Sequence, residues 1–143
     1  MKVAGIIYAF AAAVTWGLVY TIDGKILERL SPLALLFIGS VITLILTLPV
    51  VIFDPGSIKS AFSIGKANLW LIILSVALAV LANFFIFSAI KLLDASTASI
   101  FEIAYPFFVV LFSAFLLKSV PNFYFFLGAI LIFLGSLVII KLA

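Results

Sequence analysis

Five apolar runs occupy most of this chain, at about Val3–Ile22, Pro32–Phe53, Asn68–Ile90, Ala95–Leu117 and Pro121–Ile140. Each is close to the ~20 residues that carry an α-helix across a bilayer. None alternates polar and apolar residues over ~10 positions, as a barrel strand would, so helices are expected. Hydrophobic residues make up 68% of the 143 and charged residues 9%, where a soluble domain carries about 25% charged residues. A soluble fold of this size has no interior large enough for that apolar surface. The sequence therefore predicts an all-α integral membrane protein, a single domain over residues 1–143 with five transmembrane helices.

The N-terminus has the outline of a secretory signal: Lys2, an apolar run, then Ala11-Ala12-Ala13. The run continues to Ile22, past the 7–15 residues of a signal's apolar region, so a retained first span is predicted. The connections are short. Residues 23–31 hold Asp23, Lys25, Glu28 and Arg29 and end in Ser31-Pro32, a helix-start signal. Residues 54–67 open with the turn signature Asp54-Pro55-Gly56, and their middle suits the membrane surface. Lys91–Asp94 and Lys118–Val120 are tight hairpins, which make spans three, four and five antiparallel neighbours. Asp23 and Asp94, at span ends, are expected to be ordinary solvated acids.

The fourth run carries the most chemistry. It carries a single charged residue, Glu102, and Pro106 follows one turn later. A carboxylate in hydrocarbon is costly and is normally turned to a cavity or a partner. The proline removes a backbone hydrogen bond and kinks the helix. At 100° per residue, Ala95, Ala98, Ser99, Glu102, Pro106, Val109 and Ser113 share one small, polar face. This face is expected to line a pathway, with Glu102 as a proton- or cation-coupling carboxylate, or else as a protonated structural acid bonded to Ser99, Tyr105 or a neighbouring helix. In span one Gly5, Ala9, Ala12, Ala13, Trp16, Tyr20 and Asp23 share a face; in span two Gly39, Ser40, Thr43 and Thr47; in span three Ala79 and Asn83; in span five Gly128 and Gly135. The glycines and alanines are read chiefly as helix-packing positions. Trp16 and Tyr20 can stack on a planar or cationic solute, or simply pack and anchor. Asn83 can bond a solute or another helix, and Thr43 and Thr47 can bond back to their own helix.

Other function classes find little support. The chain has no Cys and no His, which removes thiol chemistry, Cys or His metal sites and imidazole catalysis. No nucleophile–base pair and no glycine-rich phosphate loop is present, so neither enzyme activity nor a cofactor is expected. The net charge of +3 is too dispersed for nucleic-acid binding.

Orientation follows the Lys/Arg balance of short loops. With five spans, Lys2, Lys59, Lys66 and Lys118 fall on one side and Lys25, Arg29, Lys91 and Lys141 on the other, four against four. The balance favours neither orientation. Two five-span units joined in sequence are oppositely oriented, which is how many transporters build a midplane site between inverted repeats. A lone unit without charge bias can reach the same architecture as an antiparallel homodimer; the alternative is a single orientation set by local effects.

These residues resemble a known family. Ala12-x-x-x-Trp16-Gly17 with Lys25 after it, Ser31-Pro32, Ala89, Leu93-Asp94-Ala95-x-x-Ala98, Pro106-Phe107, and Gly128 with Gly135 are similar, in order and separation, to one EamA-type unit of the drug/metabolite transporter superfamily. The chain departs from that pattern at Phe37-Ile38-Gly39-Ser40, where a basic residue is frequent, and at Leu117-Lys118-Ser119, where Leu-Gly-Glu is frequent. The resemblance implies one half of an inverted-repeat transporter, completed by a second copy or by a separate five-span chain. It implies a secondary transporter, an exporter or exchanger of a small metabolite or amphiphilic compound, in a prokaryotic cell membrane and in contact with lipid. The alternative is a non-transporting subunit or half of a heterodimer. The expected substrate and proton pathway is Glu102, Trp16, Tyr20, Asn83, Ser99 and Pro106.

Overall fold

A computed structural model describes residues 2–63, 65–118 and 122–142. Every regular element among them is helical: α1 (Lys2–Leu27), α2 (Pro32–Phe53), α3 (Pro55–Ser63), α4 (Lys66–Leu92), α5 (Ala95–Glu102), α6 (Tyr105–Leu116) and α7 (Phe123–Leu142). Four stretches are long and apolar enough to cross a membrane: Val3–Leu27, Pro32–Phe53, Asn68–Leu92 and Ala95–Leu116. The last is α5 and α6 taken together. The apolar part of α7, Phe123–Ile139, is shorter, and the expected start of that span at Pro121 lies outside the described residues.

The helix ends follow local chemistry. Ser31 caps α2, its hydroxyl accepting from the Ala34 N–H at 3.2 Å, with Pro32 in the first position. Asp94 caps α5, its carboxylate accepting from the Thr97 N–H at 2.9 Å and the Thr97 hydroxyl at 2.7 Å. Those bonds hold the Asp94 carboxyl below the usual carboxylate range, the backbone N–H contributing most. Asp94 is thus exposed, as expected of a boundary acid, but it has a structural task. The first connection is shorter than expected, because α1 runs on through Asp23 and Lys25 to Leu27. Its end is satisfied from another helix: the Lys91 ammonium of α4 donates to the Leu27 carbonyl at 3.0 Å and to that of Leu30. A cation is favourable at a helix C-terminus, where unpaired carbonyls gather. The middle of the 54–67 connection is the short helix α3.

Packing is concentrated at one end of the bundle. Leu27, Ile90 and Ala98 form a buried cluster, with Tyr20, Leu35, Ile86, Phe87, Ala89 and Ala95 against it. This joins α1, α2, α4 and α5. Gly24 is the one glycine that the packing demands, since a β-carbon there would lie 3.3 Å from the Ala95 Cβ and 3.8 Å from Ile90 Cγ2. The other expected glycine contacts do not form among the described residues: a β-carbon at Gly5, Gly39, Gly128 or Gly135 meets nothing within 4 Å. On α7 the buried positions are Ala129 and Ser136, one residue beyond each glycine, and α7 packs on α6 and α5. The chain exposes 11467 Å², whereas a folded soluble protein of its 15.5 kDa would expose roughly 7,200 Å². The excess is apolar helix surface that lipid or another chain has to cover.

Candidate functional site

The membrane span made of α5 and α6 is broken, not merely kinked. Pro106 has no N–H, so the Glu102 carbonyl loses its partner four residues on. The chain responds by tightening: the Ala104 N–H donates to the Phe101 carbonyl at 3.3 Å and the Phe107 N–H to the Ala104 carbonyl at 3.1 Å. Ile103 and Ala104 leave the helix, and Pro106 sits in the first turn of α6. Glu102 is therefore the last residue of an eight-residue helix, about 10 Å along the axis from its first residue at ~1.5 Å per residue. Ile103 (φ −58°, ψ −13°) and Ala104 (φ −70°, ψ −14°) keep right-handed dihedrals, so the interruption is a tight, 3₁₀-like turn.

A cavity is present there. A groove of about 680 Å³ is walled by Ala9, Ala12, Ala13, Trp16 and Tyr20 of α1, by Ala79, Ala82, Asn83 and Ile86 of α4, and by Glu102, Ile103 and Tyr105 at the break. The small residues of α1 are what make the room, since three alanines stand where large side chains would fill it. Trp16 and Tyr20 meet at 5.5 Å between ring centroids, tilted by 52°. Tyr20, Glu102 and Tyr105 share the lining of this groove. The groove thus has an apolar floor, an aromatic wall and one acid at the break. That combination suits a small solute with an apolar or aromatic body and a group that an acid can recognise.

Four of the six expected pathway residues, Glu102, Trp16, Tyr20 and Asn83, line this groove. The faces read for α1 and α4 also reappear, through Ala9, Ala12, Ala13 and Ala79. Asn83 donates from Nδ2 to the Ala79 carbonyl at 2.9 Å within its own helix. Ser99 and Pro106 are not among the lining residues. The Ser99 hydroxyl donates to the Ser96 carbonyl at 2.8 Å, and Pro106 acts by breaking the helix. Of the face expected from Ala95 to Ser113, Glu102 alone is among the groove-lining residues. Ala98 on that face is core, packed with Leu27 and Ile90.

Tyr105 and Ile103 were not read as pathway residues; only the break brings them to the groove. Asp23 is the larger correction. It was expected to be solvated, yet it is 8% exposed and its Oδ2 is buried without a hydrogen-bond partner. The signal was present in its spacing, three residues from Tyr20 on the same face, but α1 was expected to have ended before it.

The chain matches the EamA-like transporter family over residues 3–141. No curated protein and no solved structure matches it. The match takes in the groove-lining helices and the apolar surface that makes the protein an integral, multi-pass membrane protein. The chain belongs to the EamA-like transporter family, a transporter family of the drug/metabolite superfamily.

Proposed function

We propose that the protein is a secondary transporter that exports or exchanges a small metabolite or amphiphilic solute through the groove around Glu102, as a homodimer, in a prokaryotic cell membrane. The observation that carries this reading is the groove itself: an intramembrane acid at a helix break, opposite an aromatic pair, in a cavity walled on one side by α1 and α4. Glu102 exchanges a proton or cation against solute, Trp16 and Tyr20 hold its apolar face, and Asn83 keeps its amide oxygen as an acceptor. The excess exposed apolar surface supports a second chain closing the groove, and the even Lys/Arg tally supports an antiparallel pair. Alternating access then comes from rocking of helix blocks around the site.

Counterflow in proteoliposomes with a panel of small amphiphilic solutes tests the transport reading. Wild-type protein accumulates at least one labelled solute, and Glu102→Gln abolishes its coupling to a proton gradient while still assembling. Flux that stays fully coupled in Glu102→Gln removes the carboxyl from the mechanism. Inactivity that is relieved only by adding a second five-span chain assigns the protein to a heterodimer. Single cysteines between Lys59 and Lys66 and near the C-terminus, in a chain that otherwise has none, read orientation. Labelling from one face only ends the antiparallel proposal.

A further inference from the structure

A second cavity lies apart from the solute groove. It measures about 470 Å³ and sits at the end of the bundle where α1 and α4 finish and α5 begins. Its volume falls within the ~300–1,000 Å³ of small-ligand sites. Its floor is apolar, built from Leu27 and Ile90 of the buried cluster and from Ala95. Its rim is charged, with Lys25 and Glu28 from α1, Lys91 from α4 and Asp94 at the cap of α5. It shares no lining residue with the groove around Glu102.

The four charged side chains of the rim keep bonding capacity in hand. The Lys25 ammonium meets the two Glu28 oxygens at 2.9 and 3.2 Å, and both side chains are more than half exposed. An exposed pair of this kind is weak and yields to a better-placed partner. The Lys91 ammonium donates to the Leu27 and Leu30 carbonyls, which leaves its third N–H free. Asp94 accepts the Thr97 N–H and hydroxyl and retains lone pairs beyond those. The formal charges of the rim cancel, two lysines against two carboxylates. A wholly anionic ligand would therefore meet two acids, and a wholly cationic one two lysines. A ligand that carries both signs offers each side chain its opposite.

Depth narrows the choice of zwitterion. The cavity stands where the apolar stretches Val3–Leu27 and Asn68–Leu92 end and Ala95–Leu116 starts. That boundary is the level of the lipid headgroups. Leu92, next to Lys91, is 82% exposed, on helix surface that lipid has to cover.

We propose that this cavity is a binding site for the headgroup of a zwitterionic phospholipid with a primary ammonium, of the phosphatidylethanolamine kind. The Lys25 and Lys91 N–H groups hold the phosphodiester oxygens. The lipid ammonium donates to Glu28 and Asp94, which a choline headgroup, having no N–H, does not do. The glycerol end rests on the apolar floor at Leu27 and Ile90. A lipid seated in this way fastens the ends of α1 and α4 to the start of α5.

Native mass spectrometry of the full chain tests this without any solute. The protein is released from detergent micelles doped with ethanolamine, choline or glycerol phospholipids of one acyl composition. Wild-type protein retains the ethanolamine lipid over the other two. Lys25→Gln lowers that retention about two- to fivefold, the weight of one exposed charge contact. Glu28→Gln removes an acid, so ethanolamine loses its advantage over choline and the anionic glycerol lipid gains. Lys66→Gln, at the opposite end of α4, changes none of these. Soluble glycerophosphoethanolamine does not displace the lipid. Equal retention of ethanolamine and choline lipids overturns the proposal, as does a Glu28→Gln variant with the wild-type preference. Displacement by the soluble headgroup overturns the lipid assignment in favour of a free zwitterion. Both substituted side chains are exposed; should one variant fail to assemble, the other decides. Lipid retention and solute flux are separate readouts, so the failure of either proposal leaves the other standing.

Discussion

Gly24 and Ala95 meet where α1 crosses the start of α5, so closely that a β-carbon on Gly24 would sit 3.3 Å from that of Ala95. Ala95 is the first residue of its helix, and its Cβ has no side-chain freedom with which to withdraw. A helical glycine replaced by alanine normally gains about 1 kcal/mol. Gly17→Ala, in open space, is expected to show that gain. Gly24→Ala is expected to lose most of it, and Gly24→Val to cost about 1–3 kcal/mol through overpacking. Melting temperatures in detergent give the comparison. Ala95→Gly should rescue Gly24→Ala; equal stabilisation at Gly17 and Gly24 would show that the crossing is not tight.

Lys91 ties the end of α1 to α4, donating to the Leu27 carbonyl at 3.0 Å. Lys91→Met keeps the stem and removes the donors. With the lysine itself exposed, the expected loss is about 1 kcal/mol, that of an ordinary hydrogen bond rather than of one to a buried charged group. Unfolding in a denaturing detergent measures it. A loss no greater than that of Lys66→Met, at the opposite end of α4, would leave the strap without energetic weight.

Trp16 offers the groove its largest aromatic face. Trp16→Ala should raise the apparent KM of a transported aromatic solute roughly 2–10-fold, the equivalent of about 0.5–1.5 kcal/mol of ring contact, while Trp16→Phe recovers part of it. The maximal rate is expected to change less than KM. An unchanged KM for every aromatic solute would mean that the ring only packs.

Asp94 supplies a pH dependence with a definite sign. The Thr97 N–H and hydroxyl hold its carboxyl below the ordinary range, so the folded state favours the ionised form. The stabilising contribution is complete above the unfolded value of about 3.9 and fades as pH falls through the lower folded value. The stability advantage of the wild type over Asp94→Ala should therefore be flat at neutral pH and shrink below about pH 4. An advantage that grows on acidification contradicts the cap.

The helical, membrane-spanning character was legible because hydrophobic length decides it; four of the five expected runs reappear as stretches long enough to cross, and the fifth is shorter. The groove walls on α1 and α4 were legible because Ala9, Ala12, Trp16, Tyr20, Ala79 and Asn83 keep helical phase along unbroken helices. Ser99 shares an unbroken helix with Glu102 but turns its hydroxyl to the Ser96 carbonyl, which a face drawn by angle alone does not foresee. Ile103 and Tyr105 line the groove beside Glu102 at the turn before Pro106, off the face drawn through Glu102. Asp23 was missed because charge marks a span end in composition, whereas here α1 continues for another turn and Leu27, not Asp23, closes it. Gly128 and Gly135 were read as contact positions, but small size only permits approach. Which neighbour takes up that permission is settled by tertiary packing, and on α7 the buried contacts fall to Ala129 and Ser136.

The interruption at Ile103–Ala104 bears on how the protein enters a bilayer. The eight residues of α5 and the twelve of α6 rise about 12 Å and 18 Å, and neither alone bridges a hydrocarbon layer of ~30 Å. A ribosome delivering α5 by itself would offer the insertion machinery a segment too short to hold. Commitment must wait until α6 has emerged, by which time α4 is already in place as an anchor; the two short rods are then drawn in together, and the acid between them reaches the interior as a passenger of the pair.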